Sequence, residues 1–218
     1  MGPRQKALAL ILSAAVSAAC DDGGSKPEVD RSQIQLALDK LAVKTGPVGV
    51  ERWRSEASYV LIEARNPTEH DLDVTLAGEL HDSGDRAWPL RRESLRIPSG
   101  GSRLFALVDA GQAARPQATG ARIEVVGAVT VGYPPPFVVM DGNVVMDQDR
   151  AVAAGHVVNT AERDGSVIVI GAFFDEAGVA LKRTSTLFRL SAGGKRGVQL
   201  VGPPGSRSAY LFVGEFNY

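Results

Sequence analysis

The sequence predicts an all-β protein built as two tandem antiparallel β-sandwich domains. Three observations predict it. Apolar and polar residues alternate with period 2, as where Leu72, Val74, Leu76 and Leu80 interleave with Asp73, Thr75, Glu79 and His81. That is the pattern of a half-buried strand. Turn signals recur between such runs, at Asp82-Ser83-Gly84, Ser99-Gly100-Gly101, Asp175-Glu176-Ala177-Gly178 and Ala192-Gly193-Gly194. The chain also repeats itself. An offset of 93 residues aligns Asn66 with Asn159, Asp71 with Asp164, Gly78 with Gly171, Asp82 with Asp175, and Gly100-Gly101 with Gly193-Gly194. No gap is needed from Asn66 to Val108, and a six-residue deletion then brings Val126-Gly127 onto Val213-Gly214. Self-similarity at a fixed period marks one structural unit used twice.

At the N-terminus, Arg4 and Lys6 precede an apolar run from Ala7 to Val16, then Ser17-Ala18-Ala19 and Cys20. A basic start, an apolar stretch and small residues before a cut site make a secretory signal peptide, expected over residues 1–19. Ala7 to Ala19 is 13 residues, shorter than the ~20 a spanning helix needs. Ala18-Ala19-Cys20 resembles the end of the bacterial lipoprotein signal, with Ser17 where that signal usually carries Leu. The resemblance implies cleavage before Cys20 and a lipid thioether on it. Ordinary cleavage after Ala18 or Ala19, leaving a free thiol, is the alternative. Cys20 is the sole cysteine, so an internal disulfide is impossible and an unpaired thiol would be a liability in an oxidising compartment. Two acyl chains suffice for stable anchoring. Residues 20–33, polar and rich in Gly and Pro at their start, are expected to be a flexible tether.

From Gln33 to Lys44 two patterns compete. Ile34, Leu38 and Leu41 suit a helical turn, and Ile34, Leu36 and Leu38 suit a strand. The first sandwich is expected over residues 34–133, with Ile123, Val125, Val129 and Val131 alternating in a late strand. Pro134-Pro135-Pro136 cannot donate ladder hydrogen bonds and reads as a stiff extended spacer. The second sandwich follows over residues 137–218, closing on an alternating strand from Tyr210 to Phe216.

The second copy resembles the FxLYD-type immunoglobulin-like domain of bacterial envelope proteins. Gly155-His156-Val157-Val158-Asn159-Thr160 matches its Gly-x-Val-x-Asn-Thr strand end. Phe173-Phe174-Asp175 with Gly178 stands where that family has Leu-Tyr-Asp and a following Gly, while Gly171 replaces the naming Phe. In the first copy Asn66 and Leu80-His81-Asp82 fit, and Gly78 replaces that Phe. The resemblance implies an immunoglobulin-like fold for each copy and assigns no chemistry. The motif residues read as scaffold. Asn159 ends a strand in an Asx turn or a left-handed conformation, Asp175 accepts N–H bonds in a hairpin turn before Gly178, and Asn66 and Asp82 are their aligned counterparts in copy one.

No catalytic constellation is legible, so an enzyme is not expected. His70, His81 and His156 are the only histidines, and none has zinc-ligand spacing. No Gly-x-Ser-x-Gly elbow or phosphate loop is present; Ser206 and Ser208 sit in a loop after Pro203-Pro204. Asp141, Asp147 and Asp149 lie too far apart for a calcium loop and read as turns. Trp53 between Arg52 and Arg54 reads as a protected edge-strand residue. Neither a metal nor a cofactor is expected. Without Arg4 and Lys6, 22 basic residues face 25 acidic ones, a net charge of −3, which argues against nucleic acid as a partner.

The copies differ at one place. The outer-face positions Asp73, Thr75, Ala77, Glu79 and His81 become Ser166, Ile168, Ile170, Ala172 and Phe174 in copy two. A solvated face would not be so apolar. Either the rest of the chain covers Ile168, Ile170 and Phe174, or they form a surface for an envelope protein or for self-association. The expected protein is therefore a non-catalytic binding or adaptor module, held at a bacterial inner or outer membrane by lipid on Cys20. A structural spacer, and an accessory subunit or hydrolase with an unrecognised site, are the alternatives.

Overall fold

A computed structural model describes residues 28–48 and 55–218. The expected signal segment, Cys20 and Trp53 lie outside the described residues. Fourteen strands and two short 3-10 turns, with no α-helix, make up the described chain: β1 (Gln35–Leu36), β2 (Ala42–Val48), β3 (Ser55–Arg65), β4 (Leu72–His81), β5 (Ala87–Pro89), β6 (Glu93–Ile97) and β7 (Ser102–Val108). β8 (Gly120–Thr130) ends the first half, and β9 (Phe137–Asp147), β10 (Arg150–Asn159), β11 (Gly165–Phe174), β12 (Ala180–Leu190), β13 (Lys195–Val201) and β14 (Ser208–Asn217) form the second. Every pairing is antiparallel. Among the described residues no helix is long and apolar enough to cross a membrane.

Each half is a sandwich of two sheets, and the sheets correspond. In copy one β3 lies between β2 and β7, and β4 lies between β8 and β6. In copy two β10 lies between β9 and β13, and β11 lies between β14 and β12. Strands β4 and β11 begin and end at the offset of 93, as do β7 and β13. In β4, Leu72, Val74, Leu76 and Leu80 are fully buried, so the period-2 pattern reports the inner face. The six extra residues of copy one fall in the loop after β7. There buried Asp109 accepts from Ala113 N at 3.1 Å and pairs with Arg115 at 3.1 Å.

The repeat is held by one buried asparagine per copy. Asn66 Nδ2 donates to the carbonyls of His70 (2.7 Å), Ile97 (3.1 Å) and Pro98 (3.3 Å), and its Oδ1 accepts from Thr68 N (3.0 Å). Asn159 repeats this with Arg163 (2.8 Å), Leu190 (3.4 Å), Ser191 (3.0 Å) and Ala161 N (3.0 Å). Every partner sits at the same offset. An amide has two donors and an acceptor, so this one residue type can tie a strand end to a neighbouring turn with no polar atom left over. Asp82 and Asp175 accept from Arg86 N and Val179 N at 2.9 and 2.8 Å, closing the hairpin turns.

Three expectations need correcting. The alternation in β8 slips at a bulge. Leu76 pairs with Val125 but Thr75 with Gly127, so Val126 is the extra residue and the phase reverses. Ala128, opposite Val74, takes the inner position in place of Val129. Residues 28–33, placed in the tether, are docked: Glu28 bridges Val129, Val29 N donates to Ala128 O at 2.9 Å, and a 3-10 turn spans Arg31–Gln33. The competing patterns at 33–44 resolve into both, with β1, a 3-10 turn at Leu38–Lys40, and β2.

The third correction concerns the join. The prolines do not hold the copies apart. Thr160 donates to Pro136 O (2.8 Å) and to Pro135 O (3.0 Å), folding the segment onto copy two. Copy two has its own core of Val157, Val167, Val169, Phe188 and Leu190 around Phe137. Its other face belongs to copy one. Ile170, Ala172, Phe174, Ala180 and Phe212 join the cluster built on Val60, Leu61, Leu76 and Leu104, with Ile168 packed against it. Ile168, Ile170 and Phe174 are therefore covered intramolecularly and do not form an exposed partner surface. Burying each of the larger side chains contributes roughly 1.5–3 kcal/mol, enough to fuse the two sandwiches into one body.

Candidate functional site

The polar contacts at the join set the site. Glu93 and Arg183 form a two-pronged ion pair between the copies, at 2.8 and 2.5 Å, with side chains only 17% and 15% exposed. Glu93 also accepts from Ala106 N (2.7 Å), and Arg183 donates to Leu104 O (3.1 Å). β7 is an edge strand, paired with β3 alone, so this pair satisfies backbone groups that a further strand would otherwise have to meet. Tyr210 O–H donates to Glu63 at 3.4 Å. Burial first, and the adjacent Glu63 carboxylate second, push the Tyr210 hydroxyl well above its ordinary range.

Beside these contacts the copies leave a cleft of about 500 Å³. Its walls come from five places: the start of β4 (Asp71, Asp73), β6 (Ser94, Leu95, Arg96), Arg103 on β7, the Tyr133–Val139 stretch, and the Leu211–Phe216 part of β14. Phe137 and Phe216 meet with ring centres 5.9 Å apart, and Phe216 stays 42% exposed toward the opening. Concave volumes of ~300–1,000 Å³ with apolar walls and few polar groups are the usual form of a small-molecule site.

Two arginines line the cleft in different states. Arg96 is ion-paired. It donates to Asp71 Oδ2 at 2.9 and 3.2 Å and to Tyr133 O at 2.6 Å, and its guanidinium lies 5.6 Å from the Tyr133 ring centre. Asp71 is held in turn by Ser99 N at 3.1 Å. Arg103 stacks over Phe212 at 5.1 Å, and its Nη1 donates to the neighbouring Ser102 O at 2.8 Å. Its Nε is buried without an acceptor. Burial lowers the Arg103 pKa, opposed by Tyr210 and Asp71, because a charge removed from water is disfavoured.

The residues weighed in the sequence lie elsewhere. His156 and Lys195 each approach exposed Asp141 at 3.5 Å. His81 packs on Gly120 at the far end of copy one. Asp147 and Asp149 flank the exposed β9–β10 turn. Ser206 is buried, donating to Pro203 O and accepting from Ala151 N. Among the described residues no three His, Cys, Asp or Glu side chains converge as a metal site. In the sequence Phe212 and Phe216 show only as part of the alternating strand from Tyr210 to Phe216, and Arg96, Arg103 and Tyr133 carry no signal, because their partners are remote in the chain.

No protein-family model matches the chain, and no curated protein matches it. Among solved structures, a DUF1425 family member from Shewanella sp. pv-4 is similar at a TM-score of 0.34 and 15% identity, over 40% of this chain and 85% of that one. Red sea bream transglutaminase is similar at 0.27 and 15% identity, over 80% of this chain and 29% of that enzyme. The CBM22-1–CBM22-2 tandem of Paenibacillus barcinonensis Xyn10C is similar at 0.16 and 6% identity, over 85% and 86%. At such scores these likenesses say nothing about what this chain does. The all-β sandwich architecture rests on its own strand pairing.

Proposed function

We propose that the chain is a non-catalytic binding module of a bacterial cell envelope, lipid-anchored at Cys20, with the cleft between its copies as its binding site. The tandem immunoglobulin-like, FxLYD-type reading of the copies belongs to this proposal. One observation carries it: two sandwiches share a core, yet leave an aromatic-walled hollow of about 500 Å³ at the seam. A pure spacer gains nothing from such a hollow, and folding the proline segment onto copy two shortens the body a spacer would extend. The lipoprotein-like signal supports the anchoring, and partners would be met at the membrane surface.

Two measurements test the proposal. Detergent-phase partitioning should place the mature wild type in the detergent phase and Cys20→Ala in the aqueous phase; both in the aqueous phase overturns the anchor. The purified wild type should bind the neutral apolar probe N-phenylnaphthylamine saturably and with single stoichiometry, and Phe216→Asp should abolish that binding. Absence of saturable binding by the wild type overturns the cleft as a site.

A further inference from the structure

We infer that Arg103 receives the charged end of the cleft's ligand, which is a small organic monoanion, such as a carboxylate, with an apolar body. This rests on the reading of the cleft as the binding site and adds its ligand class.

The inference follows from the charges at the join. The acids bonded at the join are engaged elsewhere, and Asp73 and Glu215, which share the cleft wall, make no hydrogen bond or ion pair with Arg103. Asp71 binds Arg96, Glu93 binds Arg183, and Glu63 accepts from Tyr210. Arg103 has five N–H donors in a rigid fork, and its one hydrogen bond to an oxygen among the described residues is Nη1 to Ser102 O. Nε is buried without an acceptor and lies out of a ligand's reach; the Nη end of the fork, whose Nη2 makes no hydrogen bond among the described residues, is what Arg103 offers to the cleft it lines. The Phe212 ring beneath it supplies only the cation–π share and holds the fork in place. The guanidinium matches the two oxygens of a carboxylate.

The rest of the wall limits the ligand. Phe137, Phe216, Leu95 and the Pro135-Pro136 pair offer apolar contact, which calls for an apolar or aromatic body. Asp73 and Glu215 line the same cleft, so a second negative charge on the ligand would be repelled. A polyphosphate or nucleic acid is thereby disfavoured relative to a single anion.

The position is also specific to this seam. At the offset of 93, Arg103 corresponds to Arg196, which is exposed beside Phe188 at 5.2 Å. The same strand position is exposed in copy two and is a cleft wall in copy one, where copy two packs.

The test compares two probes of similar body. Anilinonaphthalene sulfonate carries one anion, and N-phenylnaphthylamine carries none. In the wild type the sulfonate should bind more tightly. In Arg103→Leu the ratio of sulfonate to neutral affinity should fall about tenfold, the range for a hydrogen bond to a charged group, with Arg103→Lys between. An unchanged ratio in folded Arg103→Leu overturns the inference while the cleft reading stands. If the wild type binds neither probe saturably, both readings fall. Should Arg103→Leu not fold, the wild type decides: naphthoate should displace the neutral probe at about tenfold lower concentration than naphthamide, and equal potency overturns the inference.

Discussion

Copy one and copy two share a scaffold down to individual hydrogen bonds and differ in what their outer faces meet. The asparagine corners and the hairpin aspartates recur at corresponding positions, and both last strands carry a bulge. The outer face of β4 is solvated, with Thr75 bonded to Ser94 and Glu79 paired with Arg122. The same positions of β11 are sealed against copy one. Positions that repeat thus specify the sandwich, and positions that diverge specify the assembly. The cleft belongs to the divergent set, because it exists only where the two unlike faces meet.

The largest expected effect breaks this comparison at matched positions. Ile170→Asn places an amide in the shared core, losing apolar burial and leaving polar atoms unmatched. We expect a loss of about 4–6 kcal/mol. Ala77→Asn, at the corresponding place on β4, should cost less than about 1 kcal/mol. Chemical denaturation of both variants measures this. Equal losses would mean that the join contributes nothing beyond each sandwich.

Next in size is the ion pair across the join. Arg183→Met leaves the Glu93 carboxylate buried with only Ala106 N as donor, and Leu104 O loses its partner. Breaking one side of a buried pair costs about 3–5 kcal/mol. The double variant Glu93→Leu/Arg183→Met should recover part of this, since no charge is then stranded, but not all, since Leu104 O and Ala106 N both go unmet. A double-mutant cycle by thermal or urea unfolding reads the coupling. Additive losses would show that the two residues do not act as a pair.

The same divide explains what the sequence disclosed. The repeat and the period-2 runs are local signals, because strand faces and turns are set by neighbours along the chain; Leu72 to Leu80 and Gly100-Gly101 are legible for that reason. The apolar outer face of β11 was legible as an anomaly, and its resolution required knowing what lay opposite. The bulge at Val126 left no signature, since a valine in a run of valines does not mark which residue is unpaired. Arg103 and Phe212 are separated by half of the chain, and Arg103 resembles any edge-strand arginine until copy two is packed over it.

The smallest effect tests the repeat at one turn. Gly178 has φ +74°, and its counterpart Asp85 has φ +60°. Both turns need a left-handed residue, which glycine takes freely and aspartate takes at some cost. A Cβ at Gly178 would meet only the mobile end of Lys40, at 2.9 Å from Nζ, so the backbone conformation governs the outcome there. Gly178→Ala should lower stability by about 1 kcal/mol. Asp85→Gly relieves the strain but frees the unfolded chain, and Asp82 rather than Asp85 closes the turn; the net change should stay below about 0.5 kcal/mol. Urea midpoints at unchanged slope measure both. A loss above 1 kcal/mol in Asp85→Gly would show that the Asp85 side chain makes a contribution with no counterpart in copy two, and would end the equivalence of the two turns.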